Sequence, residues 1–172
     1  MLGLNALLAL NIKNMTLDDL TVNFSHLKRE EILSDWVWLI GKNNLPILLT
    51  ASGDAFLQDT NDNSISILDV GAGEVHNVAG SFEEFKELLS DKEFVVNYLA
   101  VDMVGDLIQN NIVLNHGQIY SFKKPPVLGG EYVLENIEPI DIEVHFSITG
   151  QIHKKVKDLP EGTPINEVSI SE

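Results

Sequence analysis

Cysteine is absent from the 172 residues, which removes disulfides, thiol nucleophiles and thiolate metal sites together. Basic residues are scarce: 11 Lys and Arg stand against 26 Asp and Glu, a formal charge of −15. Phosphate contacts need clustered Lys and Arg, so this balance argues against nucleic acid as a partner. It argues equally against an anionic membrane surface. The opening MLGLNALLALNIKN has no basic n-region, and its leucine run covers only residues 2–10, too short to span a bilayer. No signal peptide is read there. Met15 opens a more ordinary beginning, MTLDDL, and residues 1–14 are expected to be a dispensable N-terminal extension. GxSxG and HExxH are also missing, which removes the nucleophile elbow and the zinc-protease helix.

What is present suits one folded domain, residues 15–172, with 44% hydrophobic residues. Residues 16–41 read as helical, with Ile32, Trp36, Leu39 and Ile40 at helical spacing and Gly41 as a stop. An apolar run after Leu45-Pro46, then AFLQD, SISILDV and EVHNVA, are separated by the turn signals SGD, TNDNS and GAG. This pattern predicts a meander of short antiparallel strands. Ser81 is an N-cap for FEEFKELL, with Glu84 completing a capping box. A second helix is expected over roughly 91–110, carrying Phe94, Tyr98, Val101 and Leu107. The segment 140–156, IDIEVHFSITGQIHKKV, fits a strand by alternation and a helix by its stripe of Ile142, Phe146, Thr149, Ile152 and Val156. The closing lysines favour the helix, with Asp141 as its N-cap. The fold class is α+β: an antiparallel meander packed against several helices.

Several motifs point to chemistry, and each has a plainer reading. ILDVGAGEV resembles the first motif of adenosylmethionine-dependent methyltransferases, with Asp102 posing as the ribose acid. Yet Val75 replaces the third glycine, and EVHNVA reads as a strand where a crossover helix is needed. A hairpin turn explains GAG more simply. DTNDNS at 59–64 mimics the start of a calcium loop, but Ser64 and Val70 occupy its glycine and glutamate positions. Asx-turn chemistry is the better account. His145 and His153 fall eight apart and share a helix face, with Glu143 near. A metal pair is one reading; core or partner-facing histidines are the other. No catalytic residue, metal ligand or cofactor is assigned. KPPVLGGEY at 124–132 is a heavily specified loop, with Pro125 and Pro126 fixing φ and Gly129 and Gly130 freeing it. It reads as a rigid connection between the helical middle and the last helix, and alternatively as a partner-facing surface.

Taken in order, WVWLIGKNNLPILLTASGDAFLQD, ILDVGAGEVHNVAGSFEEFKELL and GQIYSFKKPPVLGGEYVLENIEPIDIEVHFSITGQIHKKVKDLPEGT resemble the C-terminal domain family of type VI secretion immunity proteins, those that neutralise a co-encoded DNase effector. The resemblance covers about residues 29–165, and its most specific part is PPVLGGE followed by EN, H-x7-H and DLPEGT. The first half also resembles the SUKH immunity superfamily in its glycine–aspartate turn, strand pair and SFEEF helix. The resemblance implies a cytoplasmic binding protein without catalysis, whose partner is a toxin or effector domain.

A nuclease toxin tends to be basic for the sake of its own substrate, so an acidic inhibitor suits it. Candidate partner-binding carboxylates are Asp54, Asp59 and Asp62 on the meander turns and Glu83, Glu84 and Glu87 on the following helix. The competing functions are a small regulatory or ligand-binding module with no toxin partner, and an adenosylmethionine-dependent enzyme.

Overall fold

The computed structural model describes residues 15–160, 162–165 and 167–171; the expectation for residues 1–14 lies outside the described residues. The chain opens with α1 (Leu17–Leu20) and β1 (Thr21–Val22), then a 3-10 turn (Ser34–Trp36) leading into α2 (Val37–Ile40). The meander follows as β2 (Asn44–Thr50), β3 (Ala55–Asp59), β4 (Ile65–Asp69) and β5 (Glu74–Ala79). Three helices come next, α3 (Phe82–Leu88), α4 (Lys92–Tyr98) and α5 (Val101–Gln109). The pair β6 (Gln118–Phe122) and β7 (Ile137–Asp141) precedes the last helix, α6 (Ile142–Val156). Strands β1 to β5 form one antiparallel sheet in sequence order, and β6 pairs antiparallel with β7 in a second. The fold is α+β.

Side-chain alternation divides the core in two. On β3, Phe56 points to one face of the sheet while Ala55 and Leu57 point to the other; on β4, Ile65 and Ile67 oppose Leu68. The Phe56 face is covered by Phe85, Phe94, Val104 and Leu107 of α3, α4 and α5. The Leu57 face is covered by Trp36 and by Ile142 and Phe146 of α6. Burial on both faces explains why the central strands read as nearly continuous apolar runs. Each fully buried side chain of this size contributes roughly 1.5–3 kcal/mol.

The helix expected over 16–41 is not continuous. Thr16 and Asp19 cap a single turn, and Thr21 and Val22 then pair with Thr50 and Leu49 as an edge strand. Asn23 accepts from the Ser25 N–H at 2.8 Å, an Asx turn that competes with helix. The helix expected over 91–110 breaks as well, at Ala100, whose φ of 47° is left-handed. The break allows Leu99 and Val101 both to enter the core. The ambiguous segment resolves as helix from Ile142, with Asp141 at the N-cap but making no side-chain cap bond. Gly150, an unfavourable residue in an isolated helix, is required because a Cβ there would press on the Asp35 backbone. The capping box at α3 is displaced by one residue. Ser81 accepts from the Glu84 N–H at 3.2 Å, but Glu84 accepts from Gly80 at 2.7 Å. Trp36 and Trp38 stack at 6.1 Å and 20°.

Candidate functional site

Two hairpin turns at one end of the sheet supply the floor of the site. The β2–β3 turn carries Gly53 and Asp54; the β4–β5 turn carries Asp69 to Gly73 and confirms GAG as a hairpin. Asp54 Oδ1 accepts from the Val70 N–H at 2.8 Å, tying the two turns together. Asp69 Oδ1 accepts from Ala72 N–H at 2.8 Å. Asp54 is half-buried, and burial pushes its carboxyl up to about 7, opposed by the Val70 hydrogen bond and assisted by the Asp69 charge.

Helix α6 seats its two histidines on these turns. His145 Nε2 lies 2.8 Å from the Gly53 carbonyl and its Nδ1 2.8 Å from Ser121 Oγ. A carbonyl can only accept, so Nε2 carries the proton and Ser121 donates to Nδ1. Burial holds His145 neutral, down to about 4. His153 packs on Trp36 at 5.2 Å between ring centroids, and burial lowers its pKa against a backbone hydrogen bond at Val70. Of the two readings of this pair, the structure gives core histidines. Among the described residues, no group of three His, Asp or Glu side chains converges on a metal position.

The wall is the KPPVLGGEY loop. It joins β6 to β7, whereas the sequence suggested a link between the helical middle and the last helix. Pro126–Leu128 form a 3-10 turn, and Gly129 has φ 81°. A Cβ on Gly130 would overlap the Lys124 carbonyl oxygen, so the close approach demands glycine. Asn136 locks the loop base. Its Oδ1 accepts from Lys124 N–H at 2.9 Å, and its Nδ2 donates to the Lys124 and Glu131 carbonyls, each at 2.9 Å. At the loop's far end, Tyr132 stands 70% exposed and Val133 42% exposed, with Tyr132 edge-on to Phe122 at 5.0 Å.

Between turns, loop and α5 lies an open cleft of about 750 Å³. Asp54, Asp69, Asp106, Glu135, Tyr132 and His145 are among its lining residues, and among the described residues no lysine or arginine lines it. Of the six carboxylates singled out in the sequence, only Asp54 lines it. Asp54 is not the exposed turn acid expected, because its carboxylate is used to join the two hairpins. The other five gather at the opposite end of the sheet, as the pairing of Ile65 with Ala79 requires. There Asp59 and Asp62 accept from Asn61 and Ser64 backbone N–H groups at 2.7 and 2.9 Å, the Asx turns read from DTNDNS. Glu83, Glu84 and Glu87 are exposed on α3. Sequence reasoning missed Asp69, Asp106 and Glu135. Asn136 and Tyr132 stood inside quoted motifs, but only the folded loop shows what they touch.

No helix among the described residues is long and apolar enough to cross a membrane. No curated protein matches the chain. A solved structure, the crystal structure of Atu4351 from Agrobacterium tumefaciens, is similar at 19% identity and a TM-score of 0.49, over 73% of this chain and 65% of that one. The chain therefore spans somewhat less than two thirds of that protein's length. Residues 79–153, from the end of β5 to His153 on α6, match the family described as T6SS immunity protein Tdi1, C-terminal, which is the family that the sequence resembles.

Proposed function

We propose that this chain is a non-catalytic immunity protein that binds and neutralises a toxin or effector domain in the cytoplasm, with a nuclease as the toxin. The family match over residues 79–153 carries the reading. That region includes the loop, its Asn136 lock and both α6 histidines, so the matched segment is the one that builds the cleft wall. The formal charge of −15 supports a basic partner. Glu83, Glu84 and Glu87, with Asp59 and Asp62 at the same end of the sheet, steer that partner during approach. The meander hairpin at GAG leaves no helix N-terminus where the methyltransferase alternative would seat its cofactor.

The test is rescue. A toxin-like open reading frame directly upstream is expressed in a bacterial host alone and together with this chain. The reading requires growth arrest by the first, recovery with the second, and a stable complex on gel filtration. Arrest that persists in the presence of folded chain overturns it.

A further inference from the structure

The cleft has features that steering does not use. Asp54 and Asp69 lie inside it, half-buried, each with one carboxylate oxygen held by a backbone N–H. Asp106 and Glu135 are exposed where α5 and the loop border it. None of the four is in an ion pair with a described residue. Tyr132 and Val133 present exposed apolar surface at the same opening, and the Tyr132 hydroxyl lies against Gly71, above the turn that carries Asp69. The loop holding them is fixed by Asn136 and by glycine at 130, so the surface is formed before anything binds.

Charge and shape select one kind of occupant. Lys123 Nζ donates to the Glu135 carbonyl at 2.9 Å but pairs with none of the four carboxylates, so the cleft repels anions and favours a cationic group. A guanidinium can bind a carboxylate through two parallel hydrogen bonds and stack on a tyrosine face. Tyrosine is also among the residue types enriched at the energetic centres of protein interfaces. A cavity of this size holds far more than a metal ion or a single ammonium.

We propose that the cleft between the β6–β7 loop and the two hairpin turns receives an arginine-bearing segment of the protein partner, with Asp54, Asp69, Asp106 and Glu135 meeting its cations and Tyr132–Val133 packing on its apolar part. The proposal rests on the immunity reading for its partner and names the contact site that the reading leaves open. It separates capture in the cleft from steering by α3.

The experiment is a nuclear magnetic resonance titration of the full, isotope-labelled chain with a capped tetra-arginine peptide, and with a tetra-glutamate peptide as control. Saturable shifts are expected at Asp54, Gly71 and Tyr132 with the first peptide and none with the second. Asp54→Asn with Asp69→Asn should weaken binding by about tenfold or more, since charge-assisted bonds are the strong ones. Asp106→Asn with Glu135→Gln changes only exposed residues, keeps the fold safe, and should weaken binding severalfold. Glu83→Gln, Glu84→Gln and Glu87→Gln together should leave the peptide affinity within about twofold, since none of the three lines the cleft and exposed charges are screened by salt. Shifts that follow α3 instead, or parental affinity in both cleft variants, overturn the proposal. Shifts that track chain concentration without peptide assign the cleft to a second copy and overturn it too. Rescue from the toxin is scored separately: cleft variants that protect and bind the toxin like the parent sink this inference alone. A cleft that binds arginine in a chain that never protects sinks the immunity reading alone.

Discussion

His145 donates from Nε2 to the carbonyl of Gly53 at 2.8 Å, across 92 positions of sequence. The contact fixes the last helix to the first tight turn of the meander. It also explains the glycine: Gly53 has φ 102°, and a Cβ there would sit 2.8 Å from the imidazole ring. Gly53→Ala therefore meets both backbone strain and a clash, a cost on the order of 1–3 kcal/mol. Thermal unfolding should drop by several degrees, at roughly 2–4 °C per kcal/mol for a chain of this size. An unchanged midpoint would mean that the turn relaxes away from His145.

Asp54 and His145 give opposite pH dependences. Burial raises Asp54 from 3.8 to about 7, so the unfolded chain releases that proton first. Its contribution is full below pH 3.8 and is lost as pH rises through about 7. Burial lowers His145 from 6.5 to about 4, so its contribution is present above pH 6.5 and is lost as pH falls through about 4. Asp54→Asn retains an oxygen for the Val70 N–H but no charge. It should melt several degrees above the parent at pH 8 and level with it at pH 4, with the shift following the lost burial cost. A lower midpoint at pH 8 would show that the ionised carboxylate is stabilised where it sits.

The two loop glycines should respond differently. At Gly130 any side chain overlaps the Lys124 carbonyl, whereas at Gly129 a Cβ would make only an ordinary contact with Lys124 Nζ at 3.7 Å and the φ of 81° is what resists. Gly130→Ala should cost more than Gly129→Ala, the latter on the order of 1 kcal/mol. Both melting curves decide it, and an inverted order would mean that the loop base is not held as drawn. Asn136→Ala should resemble Gly130→Ala, since it removes three hydrogen bonds from the same base.

The meander was legible because its signals are local: alternation, turn residues, and strand lengths matching β3 and β5 to the residue. The long helices were less legible, for two different reasons. At 16–41 the apolar spacing mimicked a helix, but Ile32, Leu33 and Trp36 are placed by turns onto one core face while Leu20 serves the other. At Ala100 tertiary packing imposes a left-handed residue that no glycine or asparagine announces. The cleft was the least legible part. Asp54, Asp69, Asp106 and Glu135 come from four separate elements, and no spacing rule relates them. The α6 histidines were placed on one face by helical period alone, but their seats on Gly53 and Val70 are long-range contacts.

Residues 1–14 are proposed to be dispensable. Met15 is 6% exposed and belongs to the core, so a chain beginning there retains that packed side chain. Such a chain should melt like the parent. A fall of several degrees would show that the leucine run buries apolar surface, because about 1 kcal/mol moves a domain of this size by a few degrees.

The last prediction separates steering from docking. Glu83→Gln, Glu84→Gln and Glu87→Gln together remove three charges from one exposed face of α3. Glutamine at 84 still offers an oxygen to the Gly80 N–H, so the helix start is preserved. Losing the exposed Glu83–Lys86 pair costs little, typically under about 1 kcal/mol. Folding should therefore barely change. Association with the toxin domain should slow at low salt and lose salt dependence, because steering is a long-range effect screened within about 8 Å at physiological ionic strength. Dissociation should stay as it was, since the cleft carries the close contacts. Stopped-flow mixing at low and high salt, followed by dilution, measures both rates. An unchanged on-rate at low salt would remove α3 from the encounter and leave Asp59 and Asp62 as the next carboxylates to neutralise. A faster off-rate would instead place α3 in the bound interface, and the division between an approach face and a capture cleft would fail.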